Sequence, residues 1–315
     1  MQDGFENPDQ GKTPWYASEG FCTLLIISAA LTWGLSFIVI KDVVARFPVF
    51  FVLAVRFAIS TVILFVLFRE RFLSNLDRRT ILIGLLVGLL CWGGYAFQTF
   101  GIVYTTPGKN AFISGTYCVM VPFAAWAIGS GKPERTHVFG AFLCVIGLGF
   151  VGLDGSLMPN IGDALTLCSA VVYAFEFAVL GRYAGELDVW AVTIWEFIAM
   201  TVLNTASTLL TETPPSMELF DLKSILVFLF LSLFCSCFAS TSLNYALKKV
   251  DPTQAALLSS LESPSGVLFS ILFAEEVLIG RVVVGFAFIF VAMIVSEIGA
   301  QIIAALPDLP IRVRK

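Results

Sequence analysis

Histidine occurs once in 315 residues, and charged side chains make up only 13% of the chain. There is no HExxH, GxSxG or CxxC pattern and no glycine-rich phosphate loop. The constellations that serve metal-assisted hydrolysis, acyl transfer, thiol redox chemistry and ATP drive are therefore missing. No catalytic residue, metal site or cofactor is predicted, and the lone His137, at the mouth of an apolar run, reads as a solvated or interfacial side chain. Long polar stretches are scarce too. The longest are the first 20 residues, the segment "TETPPSMELFD" and the tail "PDLPIRVRK", which leaves no room for a soluble catalytic domain.

All seven cysteines, at 22, 91, 118, 144, 168, 235 and 237, fall inside apolar runs, where each acts as a small packing residue. Cys235 and Cys237 are two apart and point away from each other on a helix, so no disulfide is expected. Nothing in the sequence calls for nucleic acid.

What the chain has in abundance is apolar surface: 58% of residues are hydrophobic and the mean hydropathy is +0.89. Runs long enough to cross a hydrocarbon core of about 30 Å occur at 21–40, 49–68, 80–104, 110–129, 136–153, 161–182, 189–210, 222–247, 253–274 and 280–305. The prediction is an all-α integral membrane protein with ten transmembrane helices and the lipid bilayer as its surroundings. Residues 1–20 are acidic and turn-rich, unlike a secretory signal, and read as a retained, disordered cytoplasmic leader. Assigned to alternate sides, Lys12, Arg69, Arg71, Arg78, Arg79, Lys132, Arg135, Arg182, Lys248, Lys249, Arg312, Arg314 and Lys315 share the side of both termini. Lys41, Arg46, Lys109, Lys223 and Arg281 lie opposite, and Arg56 is within a span. The positive-inside rule puts both termini, including the tail 306–315, in the cytoplasm.

A shift of 145 residues lays Pro107 on Pro252, Ala111 on Ala256, Ser114 on Ser259 and Gly140 on Gly285; a shift of 140 lays Ala30 on Ala170 and Phe37 on Phe177. This suggests two repeats, 21–153 and 161–305, of five spans each. An odd number of crossings brings the chain out on the far side, so such repeats are inverted relative to each other, the layout of many secondary transporters. Weak alignment of any two apolar helices is the alternative.

Polar residues inside the spans fall in stripes. Ala255, Ser259, Glu262, Ser263, Gly266 and Ser270 share one face of span nine, and Asn110, Ser114, Tyr117, Cys118, Val121 and Ala125 take the matching face of span four. Small residues in such stripes are also what close helix packing needs. Glu262 lies about 15 Å into its span, near the midplane, where a carboxylate must be protonated, paired or facing water. Pro264 is expected to free the carbonyl of Ser260 and Pro122 that of Cys118, kinking both helices with or without a ligand role. Arg56 either pairs with a carboxylate to fix the bundle or meets an anionic group. Glu196 and Glu297 are placed nearer the cytoplasmic ends, where snorkelling is cheap. Glu176 forms a stripe with Thr166, Ser169 and Tyr173, and spans three and eight add Cys91, Gly94, Tyr95 and Gln98, then Ser232, Ser236, Ser240 and Asn244. A cavity so lined suits a small amphipathic organic molecule. Glu262, with Glu176 second, is the candidate for proton coupling.

"ALTWGLSFIVIKDV", "VLAVRFAIS", "GIVYTTPGKNAFISGTYCVMVPF", "GAFLCVIGLGFVGL", "GDALTLCSAVVYAFEFAVLGRY" and "DPTQAALLSSLESPSGVLFSILFAEE" resemble the EamA-type proteins of the drug/metabolite transporter superfamily over roughly residues 21–303. The resemblance implies two inverted five-helix repeats around a central cavity, in a bacterial plasma (inner) membrane, moving amino acids, metabolites or toxic compounds, often outward. It places Trp33, Ser36, Tyr95, Gln98, Tyr117, Glu176, Asn244 and Glu262 where substrate-binding residues are expected. One departure is that such proteins often carry a proline directly after the glutamate of span nine, whereas Ser263 intervenes here. A membrane-embedded receptor, scaffold or enzyme is the alternative to an exporter. Gly84 and Gly88 form a GxxxG that serves either internal packing or a homodimer face.

Overall fold

A computed structural model describes residues 18–152, 160–183, 186–246, 250, 255 and 258–305. The leader up to residue 17, the tail, Lys248, Lys249, Pro252, Ala256 and the side chain of Glu297 lie outside the described residues. Among those described the chain is all-helical: α1 (Glu19–Val44), α2 (Val49–Ser74), α3 (Arg78–Tyr104), α4 (Pro107–Gly115), α5 (Tyr117–Ala127), α6 (Arg135–Gly152), α7 (Ile161–Tyr183), α8 (Val189–Thr211), α9 (Leu222–Phe230), a π-helical segment (Leu231–Phe238), α10 (Ala239–Ala246), α11 (Glu262–Phe273) and α12 (Gly280–Ala305).

Local chemistry sets the ends of these helices. Ser18, Asp77, Thr106, Asp188 and Asp221 cap α1, α3, α4, α8 and α9 by accepting from main-chain N–H groups of the first turn, and Pro107 opens α4, where its missing N–H costs nothing. The hydroxyl and N–H of Thr80 hold the Asp77 carboxyl below the usual carboxylate range.

Among the described residues, six helical stretches are long and apolar enough to cross a membrane: α1, α2, α3, α7, α8 and the run Leu222–Ala246. Of the other four expected spans, those at 110–129 and 253–274 are interrupted, while those at 136–153 and 280–305 correspond to α6 and α12.

The interruptions do not fall at the prolines, and only the expectation for the Ser260 carbonyl changes. In the first, α4 stops at Gly115 and α5 starts at Tyr117, with Thr116 between them, so Pro122 lies well inside the second piece rather than at the break. In the second, Leu261 donates to Leu258 and Ser263 to Ser260 in a tight turn, and α11 starts at Glu262. Pro264 therefore stands in a first helical turn, where no helical N–H is lost. The Ser260 carbonyl accepts from Ser263 and is not left free. Tyr117 and Glu262, related by the 145-residue shift, are each the first residue after a break.

Packing follows the same exchange of halves. α2 lies on α8, α6 on α12 and α4 on α11, each pairing one element with its counterpart. α3 packs on α7 as α10 packs on α1, and α4 and α5 contact α7 as α11 contacts α1. Small residues permit the close approaches. Gly115 faces Ser263, Gly266 faces Ala111 and Gly34 faces Ser265. Gly84 and Gly88 pack against Trp195 and Glu196 with Ala199 of α8, so this GxxxG serves internal packing.

Candidate functional site

Polar and ionisable side chains from six helices converge around the two breaks. Tyr95 on α3 is edge-on to Tyr173 on α7 at 5.7 Å, and the Tyr173 hydroxyl donates to Gln98 Oε1 at 3.1 Å. Tyr117, at the start of α5, stacks on Phe177 of α7 at 4.8 Å and lies 6.3 Å from the Tyr173 ring. Glu262, half-buried at the start of α11, is within electrostatic reach of Tyr95 and Tyr173. Glu176 is one turn below Tyr173 and buried. The structure thus brings together Tyr95, Gln98, Tyr117, Glu176 and Glu262 from both halves.

Two residues join the group that sequence reasoning placed elsewhere. Glu196 was expected to snorkel, but it is 9% exposed and accepts a hydrogen bond from the Cys91 thiol at 3.3 Å. The cause is its helix position. Glu196 faces α3 where Gly88 lets the two helices meet closely, and its side chain is enclosed between them. The Cys91 Sγ and one carboxylate oxygen each from Glu176 and Glu196 lie within 4.8 Å of one another.

Arg56 also departs from expectation. No carboxylate pairs with it among the described residues; its Nε donates to Ser236 Oγ at 2.8 Å and its Nη2 to the Cys235 carbonyl at 3.2 Å. The guanidinium lies over the rings of Tyr95 and Phe57 at 5.1 and 5.3 Å, with 1% of the residue exposed and no partner for Nη1. The receiving carbonyl lies in the π-helical segment, residues 231–238. Trp33 Nε1 donates to the same Cys235 carbonyl at 2.9 Å, tying α1 into the network. Only the density of serine and cysteine in "LSLFCSCF" hinted at this segment.

Ser36 and Asn244 sit apart. The Ser36 hydroxyl turns back to the Trp33 carbonyl, and the Asn244 amide donates to Thr193 Oγ1 on α8 at 2.9 Å. A groove of about 440 Å³, lined by Leu25, Phe68, Arg71, Trp190, Thr241, Ser242 and Tyr245, opens at the end of the bundle where α2 finishes and α8 begins. None of the sequence-predicted site residues lines it.

The opposite end is closed by polar ties. Lys109 Nζ pairs with Asp163 at 3.3 Å, and Thr105 donates to the same carboxylate at 2.5 Å. Glu276 accepts from the Gly108 N–H at 3.0 Å and from the hydroxyls of Thr106 and Ser270, anchoring the loop after α11 to the N-terminus of α4. Glu212 accepts from the Phe50 and Phe51 N–H groups, and Arg46 pairs with Asp221.

This arrangement of helices and polar core has relatives. A protein of Archaeoglobus fulgidus named an uncharacterized transporter is 28% identical over 280 residues, covering 88% of this chain and 86% of its own. A second of the same name and organism is 26% identical over 244 residues, covering 74% and 82%. A solved crystal structure of a protein superposes with a TM-score of 0.66 at 17% identity, covering 91% of this chain and 99% of the other, a likeness of fold alone. The model of the EamA-like transporter family matches twice, over residues 20–153 and 160–297, and the chain belongs to that family of multi-pass membrane transporters.

Proposed function

We propose that the protein is a secondary transporter that exports a small organic metabolite by alternating access. Its ten crossings, 21–153 and 161–305, form two inverted five-helix repeats about a midplane site. The observation that carries this reading is the convergence of Tyr95, Gln98, Tyr117, Glu176 and Glu262, drawn from both halves, at the points where α5 and α11 restart. Discontinuous helices in corresponding halves place irregular backbone and polar side chains at membrane depth, which is tolerated where a substrate or water is accommodated. The tied end and the grooved end support a resting state closed on one side. Aromatic rings supply a surface for an aliphatic or aromatic body, and Glu262 a partner for its polar head.

The basic residues support a plasma (inner) membrane orientation with both termini cytoplasmic, so the tied end faces outward. Trp33, Ser36 and Asn244 border the path through α1 and α10. Purified protein in liposomes is expected to move members of a panel of amino acids, nucleosides and aromatic compounds, with Glu262→Gln abolishing the flux. Failure to move any of them, with and without ion gradients, overturns the reading.

A further inference from the structure

The cluster of Cys91, Glu176 and Glu196 has a feature that substrate binding does not require. Two carboxylates from neighbouring helices of the second half, α7 and α8, are buried with a thiol of the first half. One oxygen of each carboxylate and the thiol sulfur lie within 4.8 Å of one another. Like charges this close, away from water, do not both persist. The nearby fixed positive charge is Arg56, within electrostatic reach of Cys91, with its Nη1 unpartnered and 1% of the residue exposed. Arg56 pairs with neither carboxylate, its hydrogen bonds going to Ser236 and the Cys235 carbonyl, so the repulsion between the two is relieved when at least one of them carries a proton.

We infer that Glu176 and Glu196 hold at least one proton between them and form the site through which protons act on transport, with Cys91 as a donor that orients Glu196. This rests on the transporter reading and moves the proton from Glu262 to a pair. The bordering titratable or charged groups are Arg56 on α2, Cys91 and Tyr95 on α3, Tyr117 on α5, Tyr173 on α7 and Glu262 on α11. Lys109 of α4 is engaged by Asp163 at the helix end, and Tyr245 of α10 borders the groove beside Trp190. Loss of the last proton leaves two facing anions. The geometry makes that state separate α7 from α8 around Cys91, which couples protonation to the packing of α3 between them.

The test is infrared difference spectroscopy of the purified full-length protein in lipid, titrated with alkali, which reads the carbonyl stretch of protonated carboxyls and needs no transport. At least one protonated carboxyl is expected, lost as pH rises, shifted or lost in both Glu176→Gln and Glu196→Gln, and retained in Glu262→Gln and Cys91→Ser. In active liposomes the two pair variants are expected to lose the pH dependence of flux together. A signal removed only by Glu262→Gln, or no such signal in the wild-type protein, overturns the proposal even if flux is normal. So does one tightly held divalent metal per purified chain, which would make the same three atoms a metal site. If the glutamine variants do not fold, Glu176→Asp and Glu196→Asp decide it, each being expected to shift the signal, which a Glu262 origin would leave unmoved.

Discussion

Arg56 and Cys235 meet across the interface of α2 with the π-helical segment, guanidinium Nη2 to main-chain carbonyl at 3.2 Å. A buried cation is held here by a backbone carbonyl and a hydroxyl rather than by a carboxylate. A hydrogen bond to a buried charge contributes about 2 kcal/mol. Ser236→Ala is therefore expected to destabilise the protein by about that amount. In an Arg56→Met background, where no charge remains, the same substitution is expected to cost almost nothing. A double-mutant cycle by unfolding in mixed micelles measures the difference.

Two glycines of α3 are expected to respond with opposite signs. A Cβ at Gly88 would meet the Glu196 carbonyl and the Ala199 Cβ, each at 2.6 Å, one of them backbone. Gly88→Ala is expected to cost about 1–3 kcal/mol by forcing α3 off α8. At Gly93 the nearest atom is Val172 Cγ1 at 3.7 Å, ordinary contact. Gly93→Ala is expected to stabilise by about 0.5 kcal/mol through helix entropy. Melting of the two variants side by side checks the prediction.

Glu276→Ala removes the anchor between the loop after α11 and the start of α4. If that end opens during transport, the variant is expected to spend more time open there. A cysteine at buried Thr105 is then labelled faster by an impermeant thiol reagent than in the parent. Equal labelling rates would show that the tie has no part in closure.

The Asp221 carboxyl is held down to about 2, first by the Ser224 hydroxyl and N–H and then by Arg46. Because its folded value lies below the ordinary 3.8, its contribution is present at neutral pH and lost as pH falls from about 4 toward about 2. Asp221→Asn is expected to lower the melting temperature at pH 7, with the difference shrinking across that acid window. A difference independent of pH would assign the effect to shape rather than charge.

Much of the architecture was legible before any coordinates. Apolar run length located the helices, because hydropathy over some twenty residues needs no tertiary contact to be read. The 145-residue shift also held some truth about the breaks, since it pairs Tyr117 with Glu262. The breaks fall beside the prolines and not at them: Pro122 stands inside α5, while Pro264 stands in the first turn of α11. Proline marks where a helix cannot hydrogen-bond normally, but whether it stands inside a helix or opens one depends on where the neighbouring turn forms.

The sequence by itself determined a membrane-embedded helical chain with ionisable groups at depth, since no partner is needed to read hydropathy or the spacing of polar stripes. Only the tertiary structure decided what those groups face. Glu196 is buried against Cys91 because Gly88 draws α3 and α8 together, and Arg56 rests on a carbonyl of the π-helical segment. Both outcomes depend on contacts between residues far apart in the chain, and a helical period reports only one face at a time.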